Sequence, residues 1–483
     1  MATSLHTPLI IGGIEQPAGD GGTFDVLAPE TETVMATAAR ASNADVDLAV
    51  ASAREGFVSW SSFNPEERER ILLRAADIIE SDGADRLLDN LIDESGSTIN
   101  KARGEIVRAA GLLRTAAGEV RRLYGDTFPN DRNDRVSMVF REPVGVVAVV
   151  APYNSPLALM TKMAAFPLAA GNSIVLKPSE ETPVTAIEFA RILTEAGMPA
   201  GSVNILTGFA ADCGAPLVDH PGIDCVALTG STATGVSVGG AAIRRMRRAQ
   251  LELGGKSAIL VLRDVNPDKA AAIVRDGMFG HAGQICMANS RIIVEAPIFD
   301  DFCAALKIAC EAMHLGDLRD PDTAYGPLIN RKALEKVEQH QADALERGGT
   351  LLTGGKVRKG LTYEPTIIVE PPRDSTLWRD ESFGPIASLV KACDLDDAIE
   401  MANDSSFGLS GAVLTMNISW GFRAARAIRA GSVHIGMHAF QSNDLAPIGG
   451  RGLSGMGRSG GKYSTEEFTE LKWISIETEG ELS

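Results

Sequence analysis

The chain has 483 residues, 45% of them apolar and 23% charged, the balance of a globular protein rather than a disordered or fibrous one. Its formal charge of -17 argues against a phosphate-backbone partner, because nucleic-acid binding is driven by clustered Lys and Arg. The length exceeds what one small core needs, so two or more domains with a ligand cleft between them are expected.

In chain order, the N-terminal "MATSLHTPLI" lacks a basic region followed by a long apolar stretch, and a cytoplasmic protein is expected. A short strand region leads to "SNADVDLAVASAREGF", where Ser42 with Asp45 marks a helix start and Val46, Val50, Ala53 and Phe57 form the buried stripe. A second helix follows in "NPEERERILLRAADIIES". Asn64 is its N-cap, Pro65 takes the first helical position, Glu67 closes a capping box, and Ile71, Leu72, Ala75, Ile78 and Ile79 face a core. Between 120 and 140, turn residues flanked by strand-like alternation predict a hairpin that leaves the main body, an excursion suited to oligomerisation.

From 144 to 262 the pattern repeats strand, loop and helix, with "VGVVAVVAP", "NSIVLKP", "SVNILTG", "IDCVALTG" and "KSAILVL" as strands. Such alternation predicts a parallel sheet with helices on both faces. The run "VGVVAVVA" is the strongest apolar stretch and is too short to cross a bilayer, so no membrane association is expected. "RRMRR" at 244–248 reads as a solvated helix end. After Asp264 come a helix over 267–280, a strand over 291–295, helices over 298–314 and 330–347, and strands near 365 and 386. "APIGGRGLSGMGRSGG" at 446–461 reads as a long, tightly turning loop.

Six cysteines without paired spacing do not form a disulfide framework, and Cys303 with Cys310 reads as one buried helix face. Seven histidines carry no C-x-x-C or H-E-x-x-H context, so no metal is expected. Cys286, in "GHAGQICMANSR", is different. It lies in a loop-like stretch of small and polar residues, which suits either a packed thiol or a nucleophile.

Four further motifs carry chemistry. "LTGSTATG" follows an apolar strand and opens a helix, so Gly230 and Gly235 either admit a pyrophosphate to a helix N-terminus or make a tight turn. "KPSE" puts Lys177 and Glu180 at a strand's carboxyl edge, where the acid can accept both ribose hydroxyls of NAD and repel a 2'-phosphate, or merely form a loop ion pair. "LELGGKS" sets Glu252 beside a double glycine, as a general base or as a capping or paired acid. "PYNSP" holds Asn154 between two prolines, as an oxyanion donor or an Asx-turn.

Taken together, "PYNSP", "KPSE", "LTGSTATG", "LELGGKS", "GQICMANSR", "DESFGP" and "PIGGRGLSGMGR" resemble the NAD(P)-dependent aldehyde dehydrogenase superfamily, in its order and over essentially the whole chain. The resemblance implies an α/β fold with a Rossmann-type cofactor domain (1–120 and 140–253), an α/β catalytic domain (254–445) and a small β bridging or oligomerisation domain (121–139 and 462–483). It implies Cys286 as nucleophile, Glu252 as the base that activates water, and Asn154 with the Cys286 backbone N–H as oxyanion donors. Lys177 and Glu180 are expected at the adenine ribose, Gly230, Ser231 and Gly235 at the pyrophosphate, and Glu381 and Phe383 at the nicotinamide end. Pro152, Tyr153, Gly208 and Leu253 complete the cofactor wall, with NAD favoured over NADP.

The implied partners are a small aldehyde and further copies of the chain, as homodimer or homotetramer. Pocket walls are expected from Ser155, Leu159, Met160, Ile285, Met287 and Phe440. Relative to the family pattern, Tyr153 replaces Trp and Ser155 replaces Phe, which widens the entrance beside Asn154. Ser155 and the ending "EEFTELKWISI" look most like bacterial enzymes for benzaldehyde, vanillin or salicylaldehyde, with a broad aliphatic or semialdehyde enzyme as the alternative. A CoA-acylating relative generally lacks the base carried here by Glu252, and a non-catalytic relative is expected to have lost Cys286, Asn154 or Glu252.

Overall fold

The computed structural model describes residues 5–478. α1 (Asn43–Ser61) and α2 (Pro65–Glu80) start at the capping boxes read from Ser42 with Asp45 and from Asn64 with Glu67. Val46, Val50 and Ala53 are buried as expected, whereas Phe57 is half-buried and the stripe ends on the buried Trp60, whose indole N–H donates to the Leu168 carbonyl at 2.8 Å. α3 (Asp82–Ser95) and α4 (Ile99–Val120) follow, and the sequence pattern singled out neither. The reason is visible in α4: its buried face is largely Ala102, Ala109, Ala110, Ala116 and Ala117, so the contrast with its polar face is weak.

Strands Thr127–Phe128 and Arg135–Pro143 make the predicted hairpin, and Thr469–Glu477 pairs antiparallel along the second of them. Phe128, Val136, Phe140, Leu471, Trp473 and Ile476 are exposed on this three-stranded sheet. The helix Gly461–Glu467, which falls largely in the expected bridging segment, packs against α4 and α5 (Pro156–Ala169). Residues 479–483 of that segment and 1–4 of the N-terminal stretch lie outside the described residues.

The first large sheet has eight strands, and five neighbours in it are parallel: Arg248–Glu252, Cys225–Thr229, Val146–Val150, Ser173–Lys177 and Val203–Ile205. Of these five, Val146–Val150 comes first in the chain, which then adds two strands on one side of it, crosses, and adds two on the other. A crevice therefore opens at the carboxyl ends between Val146–Val150 and Cys225–Thr229, the topological switch point at which open α/β sheets take ligands. The crossovers are α5, α6 (Pro183–Glu195), the short α7 (Ala215–Asp219) and α8 (Thr232–Arg244).

"KSAILVL" supplies the strand Ala258–Val261, which sits in a second sheet of seven strands with Arg291–Glu295, Thr366–Val369, Ile386–Ala392 and Ser410–Leu414. α9 (Pro267–Phe279), α10 (Phe299–Glu311) and α11 (Arg331–Glu346) match the predicted helices within a few residues. Apolar clusters cover both faces of each sheet, so the central strands are continuous apolar runs rather than alternating ones.

Candidate functional site

A cavity of about 1100 Å³ opens at the switch point and reaches the second sheet. Pro152, Tyr153, Asn154, Leu159, Lys177, Glu180, Gly230, Ser231, Leu253, Cys286, Glu381 and Phe383 all line it, so residues spread over 230 positions of sequence meet at one cleft. Each reaches it by a local cause. Lys177 ends a strand, Asn154 follows the end of Val146–Val150, and Ser231 caps α8, its hydroxyl accepting the Thr234 N–H at 3.2 Å.

Several expected residues lie off this cavity, and for Met160 the expectation is corrected. Met160 is 1% exposed inside the core, because α5 is buried on every side and only Leu159 turns to the cavity. Gly235 does not line the cavity. A Cβ there would lie 2.3 Å from Leu253 Cδ2, so this glycine allows α8 to approach the strand end. Gly208 packs its left-handed backbone (φ 144°) near Cys213 and Ala41 rather than facing a ligand. Ser155, Ile285, Met287 and Phe440 also lie off this cavity; Phe440 is 38% exposed and stacks on His438.

The Cys286 loop is shaped by an uncommon backbone. His281, Ala282 and Gly283 are successive left-handed residues (φ 47°, 55° and 69°), and a Cβ on Gly283 would meet the Gly384 carbonyl at 2.3 Å. Non-glycine residues hold that conformation only where their surroundings fix it. Gln284 does so: its Oε1 accepts the Ile329 N–H at 3.0 Å, and its Nε2 donates to the carbonyls of His281 and Pro327. The double glycine of "LELGG" acts on the same loop. A Cβ on Gly255 would lie 2.3 Å from the Cys286 carbonyl, and one on Gly254 would lie 2.3 Å from Glu381 Oε2.

The Cys286 side chain is half-buried at the cavity wall. Burial first, then the Glu381 and Glu252 carboxylates, push its thiol up to about 12, against Lys162, which lowers it. Asn154 is 6% exposed and its Nδ2 donates to the Gln284 carbonyl at 2.8 Å, which leaves one amide hydrogen free for a ligand. Glu252 does not line the cavity. Its carboxylate accepts from Lys162 Nζ at 3.3 Å and from the Ser459 hydroxyl.

At the far end, Lys177 Nζ lies 3.3 Å from Glu180 Oε2, and α8 presents its N-terminal N–H groups to the cavity. At the near end, Glu381 Oε1 accepts the Gly255 N–H at 2.9 Å and Phe383 stands edge-on to Tyr153 at 5.9 Å. Burial raises the Glu381 carboxyl, and burial with Glu381 and Glu181 raises the Tyr153 phenol. Sequence reasoning missed Arg244, Lys332 and Lys336, which also line the cavity. Lys332 and Lys336 are one turn apart on α11 and look like an ordinary solvated face, so no local signal marked them. Among the described residues, no group of three or more His, Cys, Asp or Glu side chains is placed to hold a metal ion, and no helix is long and apolar enough to cross a membrane.

A switch-point crevice in one parallel sheet, closed by a cysteine loop from a second, defines a two-sheet α/β enzyme of the dehydrogenase type. The chain belongs to the aldehyde dehydrogenase family, whose model matches residues 17–474. It is 36% identical over 474 residues to a mitochondrial succinate-semialdehyde dehydrogenase of Oryza sativa subsp. japonica, covering 98% of this chain and 90% of that protein. It is 35% identical over 476 residues to the vanillin dehydrogenase of Pseudomonas fluorescens, covering 98% of each. Among solved structures, an NAD-dependent aldehyde dehydrogenase from Sinorhizobium meliloti superposes with a TM-score of 0.96 at 34% identity, over 99% of this chain and 95% of that one.

Proposed function

We propose that the protein oxidises an aromatic aldehyde of the benzaldehyde or vanillin type to its carboxylic acid, with NAD as cofactor. The observation that carries this is the convergence of Cys286 and Asn154 with Glu381, Phe383 and the α8 N-terminus at one cavity. The cavity fits a dinucleotide: at about 1100 Å³ it is lined by an acid beside a lysine, by a helix N-terminus and by an aromatic ring as well as by the thiol. Lys177, Glu180, Ser231, Glu381 and Phe383 would hold NAD, which when bound would supply the hydride acceptor.

Cys286 Sγ attacks the aldehyde carbon as the thiolate, its proton having passed to solvent, and the oxyanion of the resulting thiohemiacetal is met by Asn154 Nδ2 and the Cys286 N–H. Loss of hydride leaves a thioester on Cys286. Glu252 then takes a proton from water, whose oxygen attacks the thioester carbonyl and releases the acid. Glu252 does this only after leaving Lys162 and Ser459, which hold it back from the thiol in the present arrangement.

The high thiol pKa predicts the reactivity of the cofactor-free enzyme. Because only the thiolate is alkylated, iodoacetamide labelling of Cys286, followed by peptide mass spectrometry, is slow at pH 7 and rises about tenfold per pH unit toward 12. A rate that levels off near pH 8 contradicts the burial argument.

Substrate choice rests on the apolar Leu159 at the wall and the similarity to a vanillin dehydrogenase. The equally similar rice semialdehyde enzyme favours a second reading, a semialdehyde or broad aliphatic substrate. NADH formation at 340 nm with benzaldehyde, vanillin, hexanal and succinic semialdehyde decides between them by kcat/KM. An apolar pocket separates neighbours by about 10- to 200-fold per methylene, so a hexanal or semialdehyde preference of that size discards the aromatic reading. The exposed apolar side chains of the three-stranded sheet support a homo-oligomer, and the unpaired cysteines suit a reducing cytoplasm.

A further inference from the structure

We propose that Lys101 and Glu105, one turn apart on α4, are positioning residues for Asn154; this rests on Asn154 being the oxyanion donor. α5 begins at Pro156, and Ser155 at its N-cap makes no side-chain cap. The orphan N–H groups of a helix start need an acceptor, and here it comes from another helix. Glu105 Oε1 accepts the Leu157 N–H at 2.8 Å and the Ala158 N–H at 3.0 Å. Its other oxygen accepts from Lys101 Nζ at 2.6 Å, and the same ammonium donates to the Asn154 carbonyl at 2.8 Å.

The pair therefore grips the main chain at the Asn154 carbonyl and again three and four residues further on. At the opposite end of that residue, Nδ2 is fixed by the Gln284 carbonyl two positions before Cys286. Asn154 is thus held between α4 and the cysteine loop, with one N–H left over. Glu105 is 5% exposed, and both its oxygens are spent on this contact, which sets the pair apart from an ordinary surface i,i+4 ion pair. An oxyanion donor misplaced by about 1 Å forfeits much of its effect, on the order of a hundredfold.

A cap that served only the stability of α5 would lower the melting temperature without touching the chemistry selectively. The test compares wild type, K101M, E105Q, K101R, N154A and the K101M/N154A double variant. Two reactions are followed: aldehyde oxidation, and hydrolysis of p-nitrophenyl acetate, which acylates a thiol without NAD. K101M and E105Q are expected to lower kcat at least about tenfold in both reactions with the KM for NAD unchanged, and K101R to recover most of the loss. In the N154A background, K101M is expected to cost nothing further, because the group it positions is gone. K101M and E105Q within twofold of wild type, with N154A slowed about a hundredfold or more, overturn the proposal alone, as does a K101M loss that multiplies with that of N154A. An N154A enzyme as fast as wild type overturns the oxyanion assignment itself, and the proposal with it.

Discussion

Cys286→Ala is expected to abolish NADH formation from every aldehyde, a loss of roughly a million-fold in kcat, the size seen when a covalent enzyme loses its nucleophile. The cavity survives the change. The residues at its far end are anchored to the first sheet, and the left-handed turn that leads to position 286 is held by Gln284 rather than by the thiol. NAD is therefore expected to bind Cys286→Ala about as well as wild type, which fluorescence titration checks. Retained NAD-dependent oxidation would mean that hydride leaves an aldehyde that was never bonded to the enzyme. Among the described residues no other cysteine lines the cavity, so none can substitute.

Glu252→Gln separates the two halves of the reaction. The oxyanion donors and the thiol are untouched, so one NADH per site forms in a rapid first phase. The thioester then waits for water without a base, and steady turnover falls by roughly 10²- to 10⁴-fold. The present geometry adds a detail to this expectation. Because Glu252 is held by Lys162 and Ser459, the substitution also removes the acidic partner of a buried lysine, and Glu252→Asp is expected to lose turnover as well, by shortening the reach toward water. Stopped-flow absorbance at 340 nm reads both phases. Loss of the first phase itself would give Glu252 a role in activating Cys286 instead.

Much of this site was legible in the sequence because its residues sit where patterns change. Lys177 ends one buried parallel strand and Ser231 follows another, whose unbroken apolar runs stand out, and α2 starts at a capping box of Asn64 and Glu67. What stayed hidden depends on approach between distant segments. Lys162 and Ser459 meet Glu252 across 90 and 207 positions, and Glu105 meets the start of α5 across 52. Facing was the other failure. α5 is apolar all round, so no period told that Leu159 and not Met160 reaches the cavity. Gly235 was read as a phosphate glycine, yet its missing Cβ makes room for Leu253.

The central claim is that an acyl group is carried on Cys286 after hydride has left. Mixing Glu252→Gln protein with NAD and benzaldehyde, quenching in acid during the slow phase and mapping peptides by mass spectrometry tests it most directly. A benzoyl group is expected on the peptide containing Cys286, in amount equal to the NADH of the first phase. NADH formed without any acyl group on that peptide would contradict it.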